Sequence, residues 1–530
     1  MKAKHIFLFI FVFLSVSVSL KYSGLRVQDG YDYAQLARNI NNGKLFHSSV
    51  TIPLTVEKQK QQNIDMWRPP VYPLMIAVFF KIFGSSEIAI LILCMFAHLA
   101  FVAIVFVLAR SMYNEKTAVI ASALIGFSPE ICWYTLNCLR EPVFCLLFSL
   151  CVYLLHRCKK PYLLGFSCAI TYLTRYNFLF FLPSIAVYLL LQYKDKHIKK
   201  EFLIKVACAF FIGLSPWCIR NISNDLSPFF TLQRHEVALF TSDYPHYTVY
   251  RNLKVESPLE YVYNNPNSVL EKTLYYSWLY YWPQAVGLNP LHTNKIPSFF
   301  FPKWQKIGAL PQENSWANFT RVQNRQFSLY SLIFLVALFS LLFYKNNSQK
   351  SFYFVFIIGI LLQILVLSFI HPVIRHCLPF ITVGTIFVCG EYLSRICWKK
   401  LYILIFGCAA LSTITILNTS SGSQLQKLPT QQSMAFIKEN TKEDSCIATN
   451  IPFELSWRTN RQALWLPVQK EDYLELEKKY PTCRYFYYHS RKENDWLNTS
   501  PQLKEYLRLN YRCIYQYEKG RFVIYFFEKK

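Results

Sequence analysis

A series of apolar runs, separated by short basic segments, constrains this chain more than any other feature. The runs are Ile6–Leu20, Ile88–Ala109, Thr117–Tyr134, Pro142–His156, Tyr162–Thr174, Phe178–Gln192, Phe202–Ile219, Phe327–Tyr344, Phe352–Ile370, Cys377–Leu393 and Leu401–Leu417. Runs of roughly 15 to 23 apolar residues suit helices that cross a bilayer, where each backbone N–H and C=O must find a partner within its own helix. The pattern predicts a polytopic α-helical membrane protein with about eleven spans. Charge sets the orientation. With the N-terminus in the cytoplasm, the inside loops carry Lys2 and Lys4, Arg110 and Lys116, Arg157, Lys159 and Lys160, Lys194, Lys196, Lys199 and Lys200, Lys345 and Lys350, and Arg395, Lys399 and Lys400. Every short inside loop is then basic, as membrane insertion requires. Val71–Phe83 is also apolar, but counting it as a span would move all later basic clusters outside. It reads as a surface helix.

The chain of 530 residues carries a net charge of +25. In a protein with this many spans, that excess belongs to cytoplasmic loops, and no nucleic-acid partner is expected. The cysteines are scattered, many within apolar runs, and show no CxxC or Cys/His ligand spacing. No metal site and no cofactor are expected. Cys446, Cys483 and Cys513 lie in the polar tail, where they leave room for one disulfide. The N-terminus, MKAKHIFLFIFVFLSVSVSL, has the charge pattern of a signal peptide. It reads instead as an uncleaved first span that tethers the loop after it.

Three segments then fall on the external side of a cell membrane. They are residues 21–87, residues 220–325 and the tail. The division is a membrane domain over 1–417 and a small external α/β domain over 418–530. The tail mixes a helix-like DYLELEKKY with strand-like CRYFYYHS, CIYQYEK and RFVIYFFEK. In the middle loop, YYSWLYYWPQAVGLNP fits either an interfacial aromatic belt or a platform for sugar stacking.

The first loop concentrates the polar chemistry. In GLRVQDGYDYAQLARNI, Tyr33, Leu36, Ala37 and Ile40 recur at helical spacing beside Asp29 and Asp32. The spacing predicts a short amphipathic helix on the membrane surface with Asp29 at its N-terminal end. Both acids are candidates for a catalytic base. Both also fit helix capping, Asp29 as the N-cap and Asp32 in the first turn. The loop continues into DMWRPPVYPLMIAVFFKIFG, where Trp67, Arg68 and the Pro69–Pro70 pair introduce the surface helix.

A DxxxY pattern (Asp29 to Tyr33) early in the first external loop, followed by a basic-Pro-Pro-x-Tyr-Pro stretch, resembles membrane glycosyltransferases of the GT-C fold. The similarity is to bacterial relatives of protein O-mannosyltransferases and of the lipid A aminoarabinose transferase. It implies a sugar donor linked to polyprenyl phosphate and an acceptor that is a lipid, a glycan or a protein. It also implies that Asp29 is the catalytic carboxylate. Relatives often have Asp-Glu where this chain has Asp29-Gly30, so Asp32 either takes the second acid's place or only caps. The basic candidates on the external side are Arg68, Arg140, Arg175, Arg220 and Arg375. The resemblance assigns Arg68, Arg375 (HPVIRHCLPF), Arg175 (LTRYNFLFFLP) and Arg220 (SPWCIRN) to the donor phosphate, against a reading of each as a snorkelling interfacial arginine. Tyr33, Tyr72 and Glu141 (LREPVF) are the candidate substrate contacts.

Such a site needs few groups. The polyprenyl phosphate leaves as a stable anion, so one carboxylate to accept or orient the hydroxyl proton and cations to hold the phosphate suffice. A transporter or flippase, or a polymerase or ligase of lipid-linked glycans, is the alternative. Transporters favour ionisable groups within spans near the midplane, whereas here the acids lie in an external loop.

Overall fold

A computed structural model describes residues 3–22, 24–57, 63–241, 243–245, 247–276, 347–370, 378–397, 424–491, 500–519 and 522–530, with isolated positions between 400 and 413. Helix α1 (Ala3–Lys21) leads into a first loop holding α2 (Gln28–Asn39) and α3 (Val71–Phe83). There follow α4 (Glu87–Met112), α5 (Glu115–Gly126), α6 (Pro129–Leu136), α7 (Glu141–Arg157), α8 (Pro161–Thr174), α9 (Leu182–Lys194) and α10 (Lys200–Ile222). The middle loop contributes α11 (Pro258–Asn264) and α12 (Pro266–Tyr276), followed later by α13 (Asn347–Ile370) and α14 (Leu378–Glu391).

The helices start where the sequence supplies caps. Ser86, Asn114 and Ser128 accept hydrogen bonds from the first turns of α4, α5 and α6. One of the expected spans is not a single helix. Thr117–Tyr134 breaks into α5 and α6 with a 51° bend, because Ser128 caps a new helix and Pro129 has no N–H to continue the old one. Phe178–Gln192 falls within one continuous helix, Tyr176–Lys194, which starts with 3-10 turns at Tyr176–Phe181 and continues as α9. Among the described residues, three helices are long and apolar enough to cross a membrane, or four if α5 and α6 form one broken span. Phe327–Tyr344 and most of Leu401–Leu417 lie outside the described residues.

Small residues let these helices approach closely, as is usual where lipid offers no hydrophobic drive to association. A Cβ on Gly165 of α8 would come 2.3 Å from the Val206 carbonyl of α10. Ile10 and Leu14 of α1 are fully buried in a cluster with Val102, Val119 and Phe127. Helix α3 has 13 residues, about 20 Å at helical rise, which is too short to cross. It buries Tyr72, Ile76, Ala77 and Phe80 and exposes Leu74, Val78, Ile82 and Phe83, the two-sided pattern of an interfacial helix.

The tail folds as α/β. Helices α15 (Gln424–Asn440), α16 (Pro452–Thr459), α17 (Lys470–Lys479) and α18 (Pro501–Asn510) accompany strands β2 (Cys446–Thr449), β3 (Gln462–Trp465), β4 (Tyr485–Arg491), β5 (Tyr511–Lys519) and β6 (Phe522–Lys529). The sheet order is β1-β3-β2-β4-β6-β5, parallel through β4 and antiparallel across β4, β6 and β5. Its edge strand β1 (Val50–Thr51) comes from the first loop, with Val50 opposite Ala463 and Thr51 opposite Leu464. The middle loop joins as well: Leu232 N donates to Met66 O at 2.8 Å, and Arg251 Nε donates to Leu466 O at 2.7 Å. Strands in hydrogen-bonded register cannot lie on opposite sides of a bilayer. The first loop, the described part of the middle loop and the tail therefore share one side. Cys446, Cys483 and Cys513 are free thiols, the first two buried.

One expectation about the first loop is corrected. Helix α2 does not lie on the membrane surface with a polar face in water, because every residue from Gly30 to Ala37 is buried. Both α3 and α16 pack on it, and the last carbonyls of α16 accept from Arg38: Nη1 to Trp457 O at 2.9 Å and Nη2 to Ser456 O at 3.0 Å. An arginine satisfying orphan carbonyls at a helix C-terminus is favourable for both partners.

Candidate active site

Helix α2 opens at Val27, whose extended backbone is the N-cap, and no side chain caps it. The capping reading of Asp29 therefore fails: Asp29 is the second helical residue, and Asp32 follows on the buried side. What meets these acids is set by the second half of the loop. Asp65 Oδ1 accepts from Trp67 N at 3.2 Å and Arg68 N at 2.7 Å, a local turn that aspartate forms readily. The turn delivers Arg68 between the two carboxylates. Its Nη2 lies 2.8 Å from Asp29 Oδ1 and its Nε 2.5 Å from Asp32 Oδ2. Gln35 Nε2 donates to the other Asp32 oxygen at 3.0 Å.

Burial sorts the two acids. The Asp32 side chain is 1% exposed and that of Asp29 is 21% exposed, with Arg68 at 4%. Asp32 is locked between arginine and glutamine, while Asp29 is the carboxylate that solvent and ligands can reach. Burial raises the pKa of Asp32, against the pull of Arg68. Burial, and then the neighbouring Asp32 charge, raises Asp65 to about 7. Burial pulls the pKa of Arg68 down, but Asp29 and Asp32 hold it well above the ordinary value.

Tyr33 forms the floor of this cluster. Its ring meets Tyr72 edge-on at 4.9 Å, with the Arg68 guanidinium 5.0 Å away and that of Arg140 5.7 Å away. Tyr72 sits behind it, its hydroxyl donating to Cys138 O at 2.8 Å. Glu141 and Arg175 pair at 3.3 Å, both almost fully buried, next to Arg140 at the head of α7. Arg220 stacks 4.5 Å from the Trp217 ring and reaches Asp65 O with Nη2 at 2.5 Å. Of the residues singled out in the sequence, Asp29, Asp32, Tyr33, Arg68 and Tyr72 are in direct contact. Glu141 and Arg175 lie alongside, and Arg220 joins through Asp65. Arg375 lies outside the described residues. Arg68 and Arg175, read as phosphate ligands, already hold carboxylates here.

Sequence reasoning missed Asp65 and Gln35. Asp65 had a signal, an aspartate three residues before the arginine that leads into a proline pair, which is the spacing of the observed turn. It also missed the anchor to the tail. Arg458 Nε meets Glu454 at 2.8 Å, Arg458 Nη2 donates to Tyr31 Oη at 2.8 Å, and Trp457 Nε1 donates to Glu87 Oε1 at 3.0 Å. The glycine at position 30 has a packing reason. A Cβ there would stand 3.2 Å from Leu25 Cδ2 and 3.5 Å from Asn137 O, so α2 lies close against the turn before Arg140. Among the described residues, no group of three or more His, Cys, Asp or Glu side chains could hold a metal ion.

Residues 67–219 match the family of dolichyl-phosphate-mannose-protein mannosyltransferases. The matched segment contains Arg68, Arg140, Glu141 and Arg175, and begins after Asp29 and Asp32. No curated protein sequence matches the chain. Among solved structures, the oligosaccharyltransferase of Archaeoglobus fulgidus in its apo form is similar at 12% identity and a TM-score of 0.55, covering 97% of this chain and 74% of that one. The oligosaccharyltransferase AglB from Archaeoglobus fulgidus, solved with an inhibitory peptide and a dolichol-phosphate, is similar at 11% identity and a TM-score of 0.53, covering 98% and 74%. ArnT from Cupriavidus metallidurans, solved with undecaprenyl phosphate, aligns at 11% identity and a TM-score of 0.47, over 98% and 97% of the two chains. The chain shares the fold of the Archaeoglobus fulgidus oligosaccharyltransferase, and its residues 67–219 are similar to the dolichyl-phosphate-mannose-protein mannosyltransferases.

Proposed function

We propose that the protein transfers a sugar from a polyprenyl-phosphate carrier to an acceptor hydroxyl at the external face of the membrane, with Asp29 as the base. The observation that carries this reading is the sorting of the two carboxylates: Asp32 is sealed and Asp29 is open, at the seam between membrane helices and the α/β unit. A lipid carrier reaches such a seam from the bilayer and an acceptor reaches it from water. The acceptor hydroxyl gives its proton to Asp29, its oxygen attacks the anomeric carbon, and the bond to the carrier phosphate breaks with its electron pair on the phosphate oxygen. Cations beside the site hold the departing charge. Asp32 is a positioning residue: it fixes Arg68, and Arg68 fixes Asp29. The family match supports a lipid-phosphate donor, and AglB, of the same fold, was solved with a dolichol-phosphate.

The test is transfer from a polyprenyl-phosphate sugar in membranes carrying the full chain, together with the glycolipid and glycoprotein profile of a strain lacking it. Loss of one glycosylated species in that strain, and donor-dependent transfer in membranes, are expected. An unchanged profile together with no donor consumption contradicts the reading.

A further inference from the structure

The tail reaches the helix of Asp29 through one carboxylate. Glu87 is the first residue of α4. Its Oε2 accepts from Leu25 N at 2.8 Å, and its Oε1 accepts from Trp457 Nε1 of α16 at 3.0 Å. Arg458 closes a ring. Its Nη1 lies 4.0 Å from Glu87 Oε1 and its Nη2 donates to Tyr31 Oη at 2.8 Å, while Tyr31 Oη donates to Leu25 O at 2.5 Å. Glu454 holds the same arginine through Nε at 2.8 Å. Gly24 makes room for the ring: its φ is +91°, and a Cβ there would collide with the Glu87 carboxylate.

The ring grips the backbone of Leu25 at both its N–H and its C=O, just before the N-cap Val27. No side chain caps α2, so the backbone around Leu25 decides where the helix starts. Asp29 is the second residue of that helix, and its 2.8 Å contact with Arg68 depends on the start being held. Glu87 and Arg458 are 22% and 17% exposed, so the pair adds little to stability. A closed network of hydrogen bonds does fix geometry, because each member restrains the next. Three separate elements meet in it: the stretch before α2, the head of α4 and α16 of the tail.

We propose that Glu87 is a positioning residue for Asp29, and that α16 belongs to the catalytic unit through Trp457 and Arg458. The inference rests on the proposed function and deepens it by giving the tail a part in the transfer step. Glu87→Gln is the discriminating change. A carboxylate offers an oxygen to each of two converging N–H groups, whereas an amide offers one oxygen and turns its own N–H toward the other donor. Either Leu25 N or Trp457 Nε1 then loses its acceptor. Trp457→Phe removes the indole donor, so in the double variant the Gln oxygen can serve Leu25 N.

The test is donor turnover by the full chain in membranes, from a polyprenyl-phosphate sugar with the endogenous acceptor, well below each variant's melting temperature. Sites are counted by binding of labelled polyprenyl phosphate. Glu87→Gln should lower kcat per site about tenfold with the donor KM within about twofold, since misplacing a reacting group by about 1 Å can cost 100-fold in rate. Trp457→Phe alone should lower kcat less, and Glu87→Gln with Trp457→Phe should regain part of the loss. A ring that only fastens the tail would lower the melting temperature and leave kcat per site unchanged, and that result overturns the inference. So does a raised KM at unchanged kcat, or a double variant no better than Glu87→Gln. If Glu87→Gln fails to fold, Trp457→Phe and Arg458→Lys disturb the same ring from the tail, and wild-type kcat in both overturns the inference as well. Wild-type membranes that turn over no donor overturn the proposed function itself.

Discussion

Replacing Arg68 tests the electrostatic core of the site. In Arg68→Ala, Asp32 keeps only its contact with Gln35 while remaining in a site where its side chain is 1% exposed. Removing one partner of a buried ion pair costs about 3–5 kcal/mol, most of it the penalty of the stranded charge. The sign of the pH dependence follows. Without the arginine, burial leaves the folded-state pKa of Asp32 raised above its unfolded value. A raised carboxyl contributes stability that is present at acid pH and lost as pH rises through the folded value. The penalty of Arg68→Ala is therefore largest at neutral and alkaline pH and fades as pH falls toward about 4. A second substitution isolates the cause: Asp32→Asn in the Arg68→Ala background removes the stranded charge and should recover at least half the loss. Melting temperatures in detergent across pH, at matched protein levels, read all of this. If Arg68→Ala melts as wild type at neutral pH, or if the double variant is no better than the single one, the buried pair does not organise this site.

Asp65, raised to about 7 by burial, contributes stability at acid pH that is lost as pH rises through 7. Asp65→Asn keeps an acceptor for the two backbone N–H groups and cannot ionise, so at pH 8 it should exceed wild type by up to an order of 4 kcal/mol and match it near pH 4; identical pH profiles would contradict this. For topology, Gln59→Cys and Gln424→Cys should both react with an impermeant thiol reagent from outside, and Asn347→Cys should not. Labelling of position 347 alone would invert the orientation.

The sequence made the long helices α4 and α10 legible because burial in lipid demands unbroken apolarity. It missed a break where a proline and a capping serine outweighed apolarity, at Ser128–Pro129. The β4, β5 and β6 strands were visible by composition. Strands β2 and β3 were not, since each has four residues and β2 is buried on both faces, which leaves no alternation to read. Strand β1 has two residues and exists only through its pairing with β3, a contact far away in sequence. The site divides the same way. Asp29, Asp32, Tyr33 and Arg68 could be picked out by type and order. Which acid is open and which is sealed could not, because α16 of the tail covers α2.

The central claim is that Asp29 accepts the acceptor's proton, and Asp29→Asn tests it most directly. Asparagine keeps the shape of the side chain and its ability to accept hydrogen bonds in the first turn of α2. The measurement is sugar transfer from a polyprenyl-phosphate donor in membranes, at matched protein levels, with Asp32→Asn run beside it. The account predicts that Asp29→Asn inserts and melts close to wild type while transfer falls by roughly 100-fold or more, and that Asp32→Asn loses less. Wild-type transfer by Asp29→Asn would contradict it.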